Sequence, residues 1–178
     1  VSPRSAASIP TEADRVRCAS RVDAWATDLA GTGPPVLAAG RDSTENRWFV
    51  RLQGAEKDTV TIWLELRQRT LRHEAQMMPA PQTDLAGTFA YLLRRNAANG
   101  QLRLALGVED AVFVVGEVAI DEVDADRLDQ VVGGSLALID DCFPTAMALG
   151  HADWYRRRPR APLRGVRRSE PGGGTESG

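Results

Sequence analysis

Ser135 stands in Gly133-Gly134-Ser135-Leu136-Ala137, one residue away from the G-x-S-x-G elbow of hydrolases, and Asp140, Asp141 and His151 follow in the Ser, Asp, His order. That pattern would serve nucleophilic acyl transfer. An elbow, however, needs a strand before the serine and a helix after it, and here helical apolar spacing continues on both sides. All the candidates also fall within 17 positions, whereas hydrolase partners come from separate strand ends. Small residues at 133–135 are better explained by close approach of another element. Asp121, Glu122, Asp124 and Asp126 suggest a metal loop, but neither register starting at Asp121 or Asp124 supplies both the Gly and the Glu of an EF-hand. Carboxylates at a helix start are favoured by the helix dipole, which accounts for them. His73 and His151, the only histidines, have no histidine or cysteine at ligand spacing, so a zinc site is not expected. There is no P-loop, no G-x-G-x-x-G and no Cys/His nucleophile pair. No catalytic, cofactor-binding or metal-ligating residue is therefore assigned, and no cofactor is expected.

Positive charge is concentrated at the C-terminal end. Seven arginines fall between Arg156 and Arg168, and Arg156, Arg157, Arg158 and Arg160 are candidate contacts for nucleic acid or an anionic membrane surface. No aromatic beyond Tyr155 is interleaved for stacking, and seven phosphate contacts give weak, salt-sensitive binding of ~10⁻⁴–10⁻⁶ M. A solvated tail is the expected state of 156–178. The formal net charge of −2 hides this asymmetry: residues 1–154 carry 15 cations and 22 anions, and the rest 7 and 2.

The 178 residues, 43% hydrophobic and 26% charged, lie in the globular range. Lys57 is the sole lysine among 22 cations, which points to a GC-rich bacterial source. Apolar runs are short, so no membrane span is expected. The first residues, VSPRSAASIP, lack the apolar centre of a secretory signal. Cys18 and Cys142 lack Cys-x-x-Cys spacing, which fits reduced thiols and a cytoplasmic location.

The elements that would position any site follow from periodicity. Thr11 and Asp14 form a capping-box start, Cys18, Val22, Trp25 and Leu29 mark one helical face, and Gly31 with Gly33-Pro34-Pro35 stops the helix, predicted over 12–30. Residues 31–46 read as a loop, with an extended piece near Val36 and Leu37. The period then becomes two: Trp48, Val50 and Leu52; Val60, Ile62, Leu64 and Leu66; Leu71, His73, Ala75 and Met77. These three strands form an antiparallel meander ended by Pro79 and Pro81. Thr83 is expected to cap a second helix whose buried stripe is Leu85, Phe89, Leu92 and Leu93. Two more strands, at Leu102–Leu106 and Val112–Val118, precede a third helix capped by Asp124. Leu128, Val132, Leu136, Ile139 and Phe143 mark its buried face, and Pro144 is expected to bend or break it.

The order α-βββ-α-ββ-α predicts an α+β fold, an antiparallel sheet of about five strands packed by three helices. The expected organisation is a disordered N-terminus at 1–10, one domain over 11–155 and a disordered tail. If helices cover the face of Val50, Leu52, Ile62, Leu64, Leu104 and Val112, the reverse face carries Phe49, Trp63, Phe113 and Val115 among Arg51, Glu65, Arg72, Glu74 and Arg103. An apolar centre within a charged rim is the anatomy of an interface. Phe49, Trp63, Phe113, Val115, Arg51, Arg72 and Arg103 are the candidate interaction surface.

The blocks RWFVRLQG (47–54), TVTIWLELRQRTLRHEAQMMPAP (59–81), YLLRRN (91–96), AVFVVGEV (111–118) and LDQVVGGSLALIDDCFPTAMALG (128–150) resemble the YbjN family as it occurs in actinobacteria. The resemblance covers roughly 47–150 and implies a fold similar to type III secretion chaperones, small α+β units that dimerise and hold unfolded effector segments. It brings no catalytic residues and does not extend past Trp154. A secretion role does not follow from the fold. The resulting expectation is a non-enzymatic protein-binding or regulatory module, chaperone-like and homodimeric. The alternatives are a small-molecule or nucleotide-binding regulator with a pocket between the third helix and the sheet near His73, or nucleic-acid binding through the tail.

Overall fold

The structure, a computed structural model, describes residues 9–43, 46–98 and 100–153. Helix α1 spans Glu12–Ala30, followed by strands β1 (Val36–Arg41), β2 (Arg47–Leu52), β3 (Val60–Leu66) and β4 (Thr70–Met78). Helix α2 (Leu85–Ala98), β5 (Arg103–Leu106), β6 (Val112–Ala119) and helix α3 (Ala125–Gly150) complete the order. The fold is α+β, with one antiparallel sheet ordered β1-β2-β3-β4-β6-β5. Six strands are present rather than about five. The additional one, β1, lies where a loop with a short extended piece was expected, because VLAAGR has small residues and no alternation. Pairing with β2 and cover from α1 make it a strand, with a bulge between Val36 and Ala38.

Period two puts alternate side chains on opposite faces, and the helices take one face only. Trp48, Val50, Leu52, Ile62, Leu64, Leu71, Ala75, Val112, Val114 and Val118 are buried beneath them with Val22, Trp25, Leu128, Ile139 and Phe143. Helix α3 lies over β3, β4 and β6, α1 over β1 and β2, and α2 against α3 and β5. Indole nitrogens tie the layers together: Trp25 Nε1 donates to Asp129 on α3 at 2.8 Å, and Trp48 Nε1 donates to Asp23 on α1 at 2.7 Å. Helix α3 is long and apolar enough to cross a bilayer, but half of its most apolar stretch is buried in this fold.

The caps differ in part from expectation. Thr11 and Asp14 do form a capping box, and Asp124 does cap α3, accepting from Arg127 N at 2.8 Å. Thr83 does not cap α2. Asp84 does, accepting from Gly87 N through its side chain and from Thr88 N through its carbonyl. Thr83 instead serves the C-terminus of α3, where its hydroxyl donates to Leu149 O at 2.7 Å and its amide, with that of Gln82, donates to Gly150 O. Orphan carbonyls at a helix end need such donors. Leu85 and Leu93 are 50% and 68% exposed, because among the described residues α2 packs chiefly against α3 and β5 and fully buries a narrow stripe of Thr88 and Leu92. Pro144 does not break α3, which continues to Gly150. Proline removes one helical N–H, the partner of the carbonyl four residues back, and packing on the sheet offsets that loss.

That residue four back, Asp140, also holds a loop. Its carboxylate accepts from Ala55 N at 3.0 and 3.1 Å and from Glu56 N at 3.0 Å, fastening the β2–β3 turn to α3. Bonds to a charged acceptor contribute about 1.5–3 kcal/mol, less where water competes. Asp140→Ala is expected to cost about 1–2 kcal/mol, read as a lower urea midpoint with an unchanged slope. An unchanged midpoint would mean that water serves these amides equally well.

Candidate interaction surface

The strand register assembles the reverse face row by row. Gly40, Phe49, Trp63, Glu74, Val115 and Arg103 are successive cross-strand partners over all six strands. A second row runs through Ala38, Arg51 and Thr61 on one side and Gln76, Phe113 and Ala105 on the other. A third is Arg47, Glu65, Arg72 and Glu117, with charge alternating across four strands. The candidate residues Phe49, Trp63, Phe113, Val115, Arg51, Arg72 and Arg103 thus share one face. Each is partly or fully exposed, and among the described residues no helix lies over them.

The face is ordered by contacts of its own. The Phe49 and Trp63 rings lie 5.9 Å apart at 58°, a tilted cross-strand pair. The Arg47 guanidinium sits 4.0 Å over the Trp63 ring and reaches Glu74 at 3.9 Å. Arg72 bridges the same carboxylate at 3.1 Å. Phe113 is seated on the turn after β5: a Cβ at Gly107 would lie 2.6 Å from its ring, so only glycine permits that approach. Arg47 was not among the expected surface residues. It stands at the first position of β2, and its stacking on Trp63 is a diagonal cross-strand contact that alternation within one strand does not reveal.

The hydrolase-like residues are not brought into a triad. Among the described residues Ser135 Oγ and His151 Nε2 are buried without a hydrogen-bond partner, and Asp140 is engaged by the β2–β3 turn. Among the described residues no group of three or more metal-ligating side chains gathers. Arg156, Arg157, Arg158 and Arg160 lie outside the described residues.

A second feature lies near His73. Strand β5 pairs with β6 only from Arg103↔Val115 to Leu106↔Val112, which leaves the β6 edge beyond Val115 without a strand partner. There a cavity of about 300 Å³ opens between that edge and the start of α3, lined by His73, Gly100, Gln101, Leu102, Glu117, Val118, Arg127, Gln130 and Val131. His73 is 3% exposed, and among the described residues its Nδ1 has no hydrogen-bond partner. Gly116 opposite it makes room for the ring, since a Cβ there would fall 2.5 Å from Nε2. Burial, and secondarily the Arg127 charge, push the His73 pKa down to about 4, so the imidazole is neutral at pH 7.

No family model matches the chain. Uncharacterized proteins of Mycobacterium tuberculosis and Mycobacterium bovis are 30% identical over 127 residues, 71% of this chain and 63% of theirs. An uncharacterized protein of Mycobacterium leprae is 26% identical over 104 residues, 58% of this chain and 56% of that one. The chain thus spans 63% of the length of the first of these relatives. Among solved structures, a chain of the heterodimeric ExoU–SpcU complex from the type III secretion system of Pseudomonas aeruginosa superposes with a TM-score of 0.47 at 17% identity, over 69% of this chain and 95% of that one.

Proposed function

We propose that residues 11–155 form a non-enzymatic protein-binding module that assembles as a homodimer through the open sheet face. The observation that carries this is the band of Phe49, Trp63, Phe113 and Val115, over which no helix lies among the described residues, on a sheet whose other face is packed by the helices. Fully burying an exposed aromatic or aliphatic side chain contributes about 1.5–3 kcal/mol; these four are already partly buried, so a partner gains a fraction of that from each. The charges around them favour a second copy of the chain as that partner. Arg47, Arg51, Arg72 and Arg103 are interspersed with Glu65, Glu74 and Glu117, and a two-fold contact requires such a self-complementary patch. A nucleic acid would meet those carboxylates unfavourably. The resemblance of the blocks at 47–150 to the YbjN family points the same way.

Light scattering on the full chain tests the proposal. The wild type is expected at twice 19.3 kDa, and Trp63→Glu, which places a charge in the apolar centre, at 19.3 kDa with an unchanged circular dichroism spectrum. A monomeric wild type, or a dimer indifferent to Trp63→Glu, would overturn it.

A further inference from the structure

We infer that the cavity between the free edge of β6 and the start of α3 binds a small organic carboxylate, with Arg127 holding the carboxylate, His73 supplying a hydrogen bond and a short apolar tail lying on Leu102, Val118 and Val131. Three features lead there. First, His73 Nδ1 is unpaired on a ring that is 3% exposed and lines the cavity. An unmet buried polar atom carries a free-energy penalty, and because Nδ1 has less than 1 Å² of accessible surface the ring must turn slightly for a hydrogen-bonding ligand to remove it. Second, the ring is given its place by Gly116, at the strand position where any side chain would collide with it. Third, the walls divide by chemistry: Arg127 and Gln130 project from successive turns of α3, and Leu102, Val118 and Val131 form the apolar part.

The charge count selects the class of ligand. Arg127 is the single cation lining the cavity, and its planar fork matches one carboxylate. One positive charge suits a monoanion rather than a phosphate dianion, and Glu117, which alternation puts on the open face of the sheet, borders this cavity from the β6 edge. A volume of about 300 Å³ is at the lower end for ligand sites and suits a chain of four to six carbons.

Imidazole ¹⁵N resonances of the full-length protein provide the test, because the chain has only two histidines. His151, beyond the far end of α3, is the internal control. Isovalerate is expected to shift the His73 signals saturably and leave those of His151 in place. It should bind about tenfold or more tightly than acetate, since its extra carbons are buried. Arg127→Met should weaken it by about tenfold or more, and Gln130→Glu, which sets a negative charge beside the carboxylate, should do likewise. Circular dichroism establishes that both variants are folded. No movement of His73 at millimolar isovalerate would overturn the inference. So would equal affinity for acetate or inorganic phosphate, or binding indifferent to both substitutions.

Discussion

Acidification from pH 6.5 to pH 4 is expected to remove about 3 kcal/mol of folding stability through His73 alone. The imidazole has an ordinary pKa of 6.5 when the chain unfolds and about 4 when it is buried beneath α3. Between those values the unfolded state binds more protons than the folded one, so stability rises with pH. The contribution is complete above 6.5 and is lost as pH falls through the window. Desolvation is the larger cause and the Arg127 charge the smaller; both disfavour the imidazolium. Asp14 acts separately and lower on the scale. Its carboxylate, held down chiefly by hydrogen bonds from Thr11, loses its contribution below its ordinary value of 3.8. Urea midpoints at half-unit steps of pH would show the loss. His73→Leu, which keeps an apolar group of similar size at the site, should flatten the curve between 6.5 and 4. A slope identical in that variant would assign the acid lability to other groups.

Much of the architecture is legible because it rests on short-range periodicity. Alternation at Trp48, Val50 and Leu52 and at Val60 through Leu66 separates the two sheet faces correctly, since a one-residue slip would expose the whole apolar set. The capping box of Thr11 and Asp14 marks the start of α1 for the same local reason. What escapes is decided by distant partners. VLAAGR becomes β1 through pairing with β2 and cover from α1, and neither is encoded within the six residues. Thr83 and Asp84 are both acceptable caps for α2; the terminus of α3, some 66 positions away, recruits the threonine. Pro144 is a helix breaker by propensity, yet packing carries α3 past it. Leu85 and Leu93 have the spacing of a buried stripe, but α2 has neighbours on one narrow side only.

The make-up of the open sheet face is legible to the same degree. Period two predicts that Phe49, Trp63, Phe113 and Val115 share a face, and the register places Phe49, Trp63 and Val115 in one row with Phe113 in the next. Arg47 over Trp63 could have been foreseen only with the β2–β3 register, in which Arg47 opposes Glu65 and lies diagonal to the indole. At the sequence level a pocket between the third helix and the sheet near His73 is an alternative only, and its cation is not legible, because Arg127 is there only a residue in the first turn of a helix. The cavity depends on β5 being short. Four residues pair with β6 at one end, which leaves the rest of the β6 edge to form the cavity wall.

Trp48 offers the largest single loss from the core. Its side chain is fully buried on the inner face of β2, and its Nε1 donates to Asp23 at 2.7 Å. The other Asp23 oxygen accepts from Arg41 at 3.0 Å, and the Arg41 guanidinium lies 4.9 Å from the indole centroid. One side chain therefore fills the space between α1 and the sheet and joins β2, β1 and α1 at a single carboxylate. Trp48→Ala is expected to cost about 3–5 kcal/mol, the transfer of the indole plus the cavity it leaves. Trp48→Phe keeps most of the volume but leaves Asp23 without its indole donor, and should cost about 1–2 kcal/mol. Asp23 is partly exposed, so water replaces the missing donor and limits that loss. Asp23→Ala should cost about 1–3 kcal/mol, because it leaves the N–H of a fully buried indole without its acceptor, and the Asp23→Ala, Trp48→Phe double variant should cost less than the sum of the two single changes. Denaturation followed by far-ultraviolet circular dichroism reads all four. If Trp48→Phe proved as damaging as Trp48→Ala, the hydrogen bond to Asp23, and not burial of the ring, would be what holds α1 to this edge of the sheet.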